Sequence, residues 1–275
     1  MQETLINSTC VELWPQGRMP GRRPLGAEHL HNPGRDTVIR VTSIQEPAMY
    51  VFPAEKQSGP APLMVVCPGG GYSYMAWNLE GTEIASYLTA RGMAAAVLKY
   101  RCPDNREGAF MDVQRAIRVA RYHAKEWNID PKRIGVMGFS AGGHLSAKAA
   151  TGYNHPAYQP VDEIDELSAL PDYAVLVYPA YLNDETSAET ESNVAGEFLP
   201  LECMPPVLVL HNEDDPRYVK GSKALIAKMT EMGLDIQWKI WHGGGHGYGL
   251  RSQKEVKDWP NVMVEWFKSK GILQK

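Results

Sequence analysis

Short, nearly unbroken apolar runs alternate along this chain with longer segments whose apolar residues recur every three or four positions. Leu63-Met64-Val65-Val66-Cys67, Ala94–Lys99, Ile134–Phe139, Ala174–Tyr178, Val207–His211 and Ile236–Trp241 read as strands. Continuous runs of this length fit strands buried on both faces. Thr37–Ser43 and Ala48–Pro53 read as two earlier strands, with Pro47 marking a strand start or a sheet edge. Residues 80–91, 111–127, 219–232 and 254–270 read as helices. In the second, Val113, Ala116, Ile117, Ala120 and Trp127 keep helical spacing, and Asn128-Ile129-Asp130-Pro131 ends it. Strands alternating with helices imply an α/β fold with a mostly parallel central sheet of about eight strands flanked by helices. Functional groups in such sheets gather beyond the carboxyl ends of the strands.

Composition narrows the picture. No linker divides the 275 residues, so residues 1–275 read as one domain, and 44% hydrophobic residues with seven tryptophans suit a sizeable core. Residues 1–36 read as an irregular N-terminal arm, because Trp14-Pro15-Gln16-Gly17 and Pro20-Gly21-Arg22-Arg23-Pro24 punctuate it. The arm could pack on its own sheet or on a second subunit, which leaves a homo-oligomer open. A net charge of −4 with both signs scattered argues against a nucleic-acid partner. No stretch of about 18 apolar residues exists to span a membrane. Residues 1–12 hold no apolar leader, so as given the chain reads as soluble and cytoplasmic, or as secreted or periplasmic if a leader was removed. Cys10, Cys67, Cys102 and Cys203 lie far apart with no metal-ligand spacing, so no metal is expected; Cys67 reads as a buried small hydrophobe.

The chemistry concentrates at four places. Gly138-Phe139-Ser140-Ala141-Gly142 joins the strand at 134–139 to a helix opened by Gly142-Gly143-His144. A strand turning sharply into a helix puts the Ser140 hydroxyl at the tip of a strained elbow. Such a hydroxyl needs a histidine to take its proton and an acid to orient that histidine, in the chain order serine, acid, histidine. After a late strand comes His211-Asn212-Glu213-Asp214-Asp215-Pro216, in which Asp215 is the first choice, Asp214 the rival and Glu213 third. After the last strand comes His242-Gly243-Gly244-Gly245-His246-Gly247-Tyr248-Gly249, in which His246 is preferred over His242. The intervening glycines speak against a helical metal-binding His pair. Pro68-Gly69-Gly70-Gly71-Tyr72 follows the strand at 63–67, and Gly70, Gly71 and Ala141 are the candidate N–H donors of an oxyanion hole. The triplet lacks the Gly-Lys-Ser/Thr ending of a phosphate loop.

These motifs resemble those of the acetyl xylan esterase-like group of α/β-hydrolases, and the resemblance runs almost the whole length. Leu13-Trp14-Pro15…Pro20-Gly21, Pro68-Gly69-Gly70-Gly71-Tyr72, Glu80-Gly81, Leu98-Lys99-Tyr100-Arg101, Gly138–Leu145 and Tyr178-Pro179 carry it. Pro68 stands where hormone-sensitive-lipase relatives begin the corresponding motif with histidine. The resemblance implies an α/β-hydrolase fold and hydrolysis of O-acetyl groups on sugar, such as xylan or its oligosaccharides, without a cofactor. It carries over Ser140, Asp215 and His246 as a triad and the 69–71 turn as the oxyanion hole. Tyr218 departs from the pattern, where many α/β-hydrolases have a small aliphatic residue after the acid.

The surrounding residues speak to the substrate. Tyr72, Tyr74, Trp77, Asn78, Tyr181 and Tyr248 follow site-forming turns, and Tyr72, Trp77, Asn78 and Tyr248 are the candidate substrate contacts, suited to stacking on sugar rings. Residues 182–206 are short and acidic (Asp184, Glu185, Glu189, Glu191), with no large apolar lid. That favours small acyl groups over long chains. Arg101 reads as a surface ion pair or as a side chain reaching the cleft. The expected partner is an acetylated oligosaccharide or another small ester. Competing readings are a small-acyl general carboxylesterase, a prolyl-oligopeptidase-like peptidase, for which the chain lacks room for a second domain, and a non-catalytic binding module.

Overall fold

Runs that are apolar on every residue can be stable as strands only in the middle of a sheet covered on both faces. The computed structural model, which describes residues 8–31, 36–55, 58–152, 155–184, 186 and 193–274, places them there. The strands are β1 (Thr9–Glu12), β2 (His29–His31), β3 (Arg40–Thr42), β4 (Ala48–Phe52), β5 (Ala61–Cys67), β6 (Met75–Ala76), β7 (Ala94–Lys99), β8 (Ile129–Phe139), β9 (Ala174–Val177), β10 (Val207–Asn212) and β11 (Ile236–Trp241). The helices are α1 (Glu83–Thr89), α2 (Arg106–Tyr122), α3 (Ala141–Thr151), α4 (Val219–Glu231) and α5 (Trp259–Ser269). The main sheet has eight strands in the order β1-β4-β7-β5-β8-β9-β10-β11. Neighbours from β7 to β11 are parallel, and β4 pairs antiparallel with both β1 and β7. This is the α/β-hydrolase fold. β5, β9 and β10 are buried at every residue.

The membership of that sheet differs from the sequence reading at one strand. Thr37–Ser43 does not join it. Its ordered part, β3, pairs with β2 and β6 in a separate three-stranded antiparallel sheet. The eighth strand of the main sheet is β1, from the stretch read as an irregular arm. β1 is an exposed edge strand with only Val11 half-buried, so it carries no alternation to betray it. The arm packs on its own chain: β1 pairs with β4, and on α2 the Asp112 Oδ1 accepts from Trp14 Nε1 (2.8 Å) while Arg115 Nε donates to the Leu13 carbonyl (2.8 Å).

Arg101 neither reaches the cleft nor lies at the surface. Its guanidinium and the Asp112 carboxylate form a buried ion pair (2.8 Å) at 2% and 0% exposure, and its Nη1 also donates to the Pro20 carbonyl. Removing one partner of such a pair typically costs about 3–5 kcal/mol. Arm, β7 end and α2 are thereby locked together. Cys67 is fully buried in the core.

Helix α2 starts earlier than its apolar spacing suggests, because the Asn105 side chain caps it by accepting from Gly108 N (3.0 Å). Strand β8 begins at Ile129 and runs through Pro131, ahead of the 134–139 span that the apolar run marks; its pairing with β5 shifts register between Ala61 and Leu63, and a bulge tolerates proline. A wide helical turn at Asn78–Thr82 precedes α1, and short tight turns sit at Glu163–Glu166, Gly196–Phe198 and Glu255–Asp258. Of the acidic residues read in 182–206, Glu185, Glu189 and Glu191 lie outside the described residues.

Candidate active site

Ser140 sits between β8 and α3 with φ 53° and ψ −118°, a conformation that L-residues rarely adopt. The flanking glycines make the turn feasible. A Cβ at Gly138 would stand 2.0 Å from the Gly142 carbonyl oxygen, and one at Gly142 would stand 1.9 Å from the Cys67 carbonyl oxygen. Helix α3 can therefore press against β5 and β8 only because both positions lack a side chain.

The elbow aims the serine at the loop after β11. Ser140 Oγ lies 2.7 Å from His246 Nε2, and His246 Nδ1 lies 2.5 Å from Asp215 Oδ2. Hydroxyl, imidazole and carboxylate from three loops at the carboxyl edge thus form one continuous relay. The same Asp215 oxygen lies 3.1 Å from Nε2 of the fully buried His211. His211 Nδ1 lies 2.7 Å from Ser222 Oγ. Burial holds the His211 ring below the usual imidazole range, so it is neutral; its Nε2–H donates to Asp215 and its Nδ1 accepts from Ser222. Burial alone would raise the pKa of Asp215, but the donors His211 and His246 outweigh it and hold the carboxyl well below the usual range. His211 is a residue that the sequence reading passed over.

The neighbouring acids have other partners. Asp214 Oδ1 accepts from Gly244 N (2.9 Å), Gly245 N (2.9 Å) and Asn212 Nδ2 (2.6 Å), and so shapes the loop that carries His246. Glu213 pairs with Lys223. His242 is exposed and its backbone N–H donates to Glu255.

The glycine triplet crosses below the serine. Gly70 and Gly71 have φ of 134° and 65°, and a Cβ at Gly70 would fall 2.0 Å from the Tyr74 carbonyl oxygen. Gly69 N donates to Glu80 Oε2 (2.7 Å) and is spent there. Among the described residues, the N–H groups of Gly70, Gly71 and Ala141 have no internal acceptor. Ala141 is also the first residue of α3, whose N-terminal dipole favours an anion.

A cleft of about 560 Å³ opens over the relay, lined by Gly70, Gly71 and Ser140 with Tyr74, Tyr181, Tyr218 and His246. Asp36 and Arg40, paired at 2.8 Å, form its outer wall, with the Arg40 guanidinium over the Tyr74 ring. The four aromatic or amide residues singled out from the sequence lie elsewhere. Tyr72 is buried, with its hydroxyl 2.7 Å from His144 Nδ1. Trp77 is buried edge-on against Tyr50. Asn78 is buried and pins residues 37–39, donating to the Thr37 carbonyl and accepting from Ile39 N. Tyr248 is buried against the Tyr178 ring, 4.4 Å away. Each has spent its face or amide inside the protein, and Tyr74, Tyr181 and Tyr218 line the cleft instead.

The chain is similar in sequence and in fold to known proteins. The acetylxylan esterase of Xylanibacter ruminicola is 30% identical over 224 residues, 74% of this chain and 44% of the relative. Esterase LipC of Mycobacterium tuberculosis is 37% identical over 219 residues, 70% of this chain and 54% of the relative. The chain thus spans about half the length of these curated relatives. The crystal structure of an acetyl ester-xyloside bifunctional hydrolase from Caldicellulosiruptor lactoaceticus superposes with TM-score 0.78 at 29% identity, covering 96% of this chain and 97% of that one. The fold is that of the α/β-hydrolase class, and the relatives named are esterases and an ester-xyloside hydrolase. Residues 49–173 match the family model BD-FAE.

Proposed function

We propose that the chain is a serine esterase that releases acetate from O-acetylated carbohydrate, xylan or xylo-oligosaccharides, through an acyl-enzyme. The observation that carries the reading is the relay of Ser140, His246 and Asp215 opening onto free N–H groups at Gly70, Gly71 and Ala141. Ser140 Oγ attacks the acetyl carbonyl while His246 Nε2 takes its proton. Asp215 orients the ring and offsets the imidazolium charge. The developing oxyanion is held by the N–H groups of the glycine turn and Ala141, each worth on the order of 3 kcal/mol. His246 returns the proton to the departing sugar oxygen. Water, deprotonated by the same imidazole, then attacks the acetyl-serine, and acetate leaves as Ser140 regains its proton.

The sugar assignment draws support from the names of an acetylxylan esterase and an acetyl ester-xyloside hydrolase among the relatives. The three tyrosines around the cleft offer rings for stacking on a pyranose. The likeness to Esterase LipC favours a second reading, a general esterase for small acyl groups. Acetate release from acetylated xylo-oligosaccharides, run beside p-nitrophenyl acetate and an aminoacyl-nitroanilide, separates them. The carbohydrate reading expects acetate from the sugar, abolished in Ser140→Ala. Turnover of the nitrophenyl ester alone would leave the general esterase, and cleavage of the anilide alone would point to a peptidase.

A further inference from the structure

Glu80 is a carboxylate at 3% exposure that the acyl-transfer steps leave without a task. It lies in the wide turn before α1, beneath the cleft. Its Oε2 accepts from Gly69 N (2.7 Å) and its Oε1 accepts from the Tyr178 hydroxyl (2.8 Å). Tyr178 is itself fully buried at the end of β9, and its hydroxyl oxygen accepts from Gly249 N (3.0 Å). One hydrogen-bond chain therefore runs from the glycine turn, through Glu80 and Tyr178, to the loop that carries His246. The Tyr178 ring also lies edge-on to the His246 ring, with centroids 5.1 Å apart.

The chemistry of this chain specifies a carboxylate. Donors face both oxygens of Glu80, whereas a glutamine would turn its NH2 towards one of them. Tyr178 cannot reverse to suit, because its oxygen already takes the Gly249 proton. The titratable groups facing Glu80 are Tyr178, Tyr100, Tyr248 and His246. Burial raises the Glu80 pKa, and the Tyr178 and Gly69 donors and the charge of His246 oppose it. Of these neighbours, His246 is the one that becomes cationic.

Resting on the reading of His246 as the general base, we propose that Glu80 is a positioning residue with two tasks. It ties the oxyanion turn to the His246 loop, and its negative charge stabilises the imidazolium formed when Ser140 attacks. A merely structural Glu80 would hold the loops without touching the titration of the base.

The test is Glu80→Gln and Tyr178→Phe, assayed with p-nitrophenyl acetate for kcat, KM and the pH profile of kcat/KM. Active sites are counted with an organophosphonate, and folding is followed by thermal melting. Glu80→Gln is expected to lower kcat about 10²-fold, the scale of a lost oxyanion donor, with KM within about twofold. The acid limb of kcat/KM moves to lower pH, because an imidazolium without its nearby carboxylate loses its proton more readily. A kcat per titrated site within about threefold of wild type and an unmoved acid limb would overturn the proposal. Should Glu80→Gln fail to fold, Tyr178→Phe decides: it keeps the charge and cuts the link, so kcat falls about tenfold with the acid limb in place. Wild-type kcat in a folded Tyr178→Phe overturns the linkage. A wild-type chain inactive on every ester removes the hydrolase reading and this proposal with it; an active wild type with unaltered Glu80→Gln removes this proposal alone.

Discussion

Asparagine at position 215 isolates the charge of the acid from its geometry. Both His246 Nδ1 and His211 Nε2 converge on the single oxygen Oδ2, at 2.5 and 3.1 Å. An amide oxygen can occupy that place, so the imidazole keeps its orientation while the negative charge disappears. Two unit charges about 4 Å apart at an effective dielectric of about 20 interact by about 4 kcal/mol. That corresponds to about a 10³-fold loss of rate. The expected result for Asp215→Asn with p-nitrophenyl acetate is therefore a kcat lower by about 10³-fold, with KM within about threefold. Asp214→Asn is the matched control. Its oxygen accepts from two N–H groups of the histidine loop and from the Asn212 amide, and an amide oxygen can do the same, so its effect stays near 1 kcal/mol, roughly fivefold. Equal losses in the two variants, or a larger loss at 214, would refute the assignment of separate tasks to the two aspartates.

Two further outcomes follow from packing and charge. Gly142→Ala would push a methyl group to 1.9 Å from the Cys67 carbonyl oxygen, forcing α3 away from β5; a loss of about 3 kcal/mol, seen as a melting temperature lower by roughly 6–12 °C, is expected. Glu197 accepts from His144 Nε2 (3.1 Å) and Lys148 Nζ (2.7 Å), and the His144 bond, with Lys148 beside it, pulls its pKa down to about 2 from an ordinary 4.5 against the cost of burial. A depressed acid contributes stability that is complete above its unfolded value and is lost as pH falls through the folded one. Wild type should therefore lose melting temperature between pH 4.5 and about 2, and Glu197→Gln should flatten that slope; an identical slope would show that the acid carries no linkage. Burial of His144 pushes its pKa below the ordinary 6.5 and adds acid sensitivity that this substitution leaves in place.

The strands at the centre of the main sheet were legible because they are apolar on every residue, a pattern few alternatives tolerate. The strand at Thr9–Glu12 was not, since an exposed edge strand buries almost nothing and leaves no periodicity. Alternation at 37–43 identifies a strand but carries no information on which sheet it joins. The meeting of Ser140, Asp215 and His246 at one sheet edge was legible through glycine placement and chain order. His211 was hidden because a histidine ending an apolar strand looks like any core residue; its position four before Asp215 was the available signal. The substrate contacts were misread for a backbone reason. Nearness to the glycine turn says nothing of side-chain direction, and Tyr72, at φ 61°, turns inward to His144. Tyr218 gave the better clue, being a large ring three residues past the acid where a small residue is usual.

The most direct test of the serine nucleophile is mass spectrometry of the protein after reaction with a fluorophosphonate ester. A single adduct is expected on the peptide containing Ser140, formed at a rate that falls sharply in Asp215→Asn and absent from Ser140→Ala. An adduct on another residue, or equal labelling of Ser140→Ala, would contradict the relay as the seat of the chemistry.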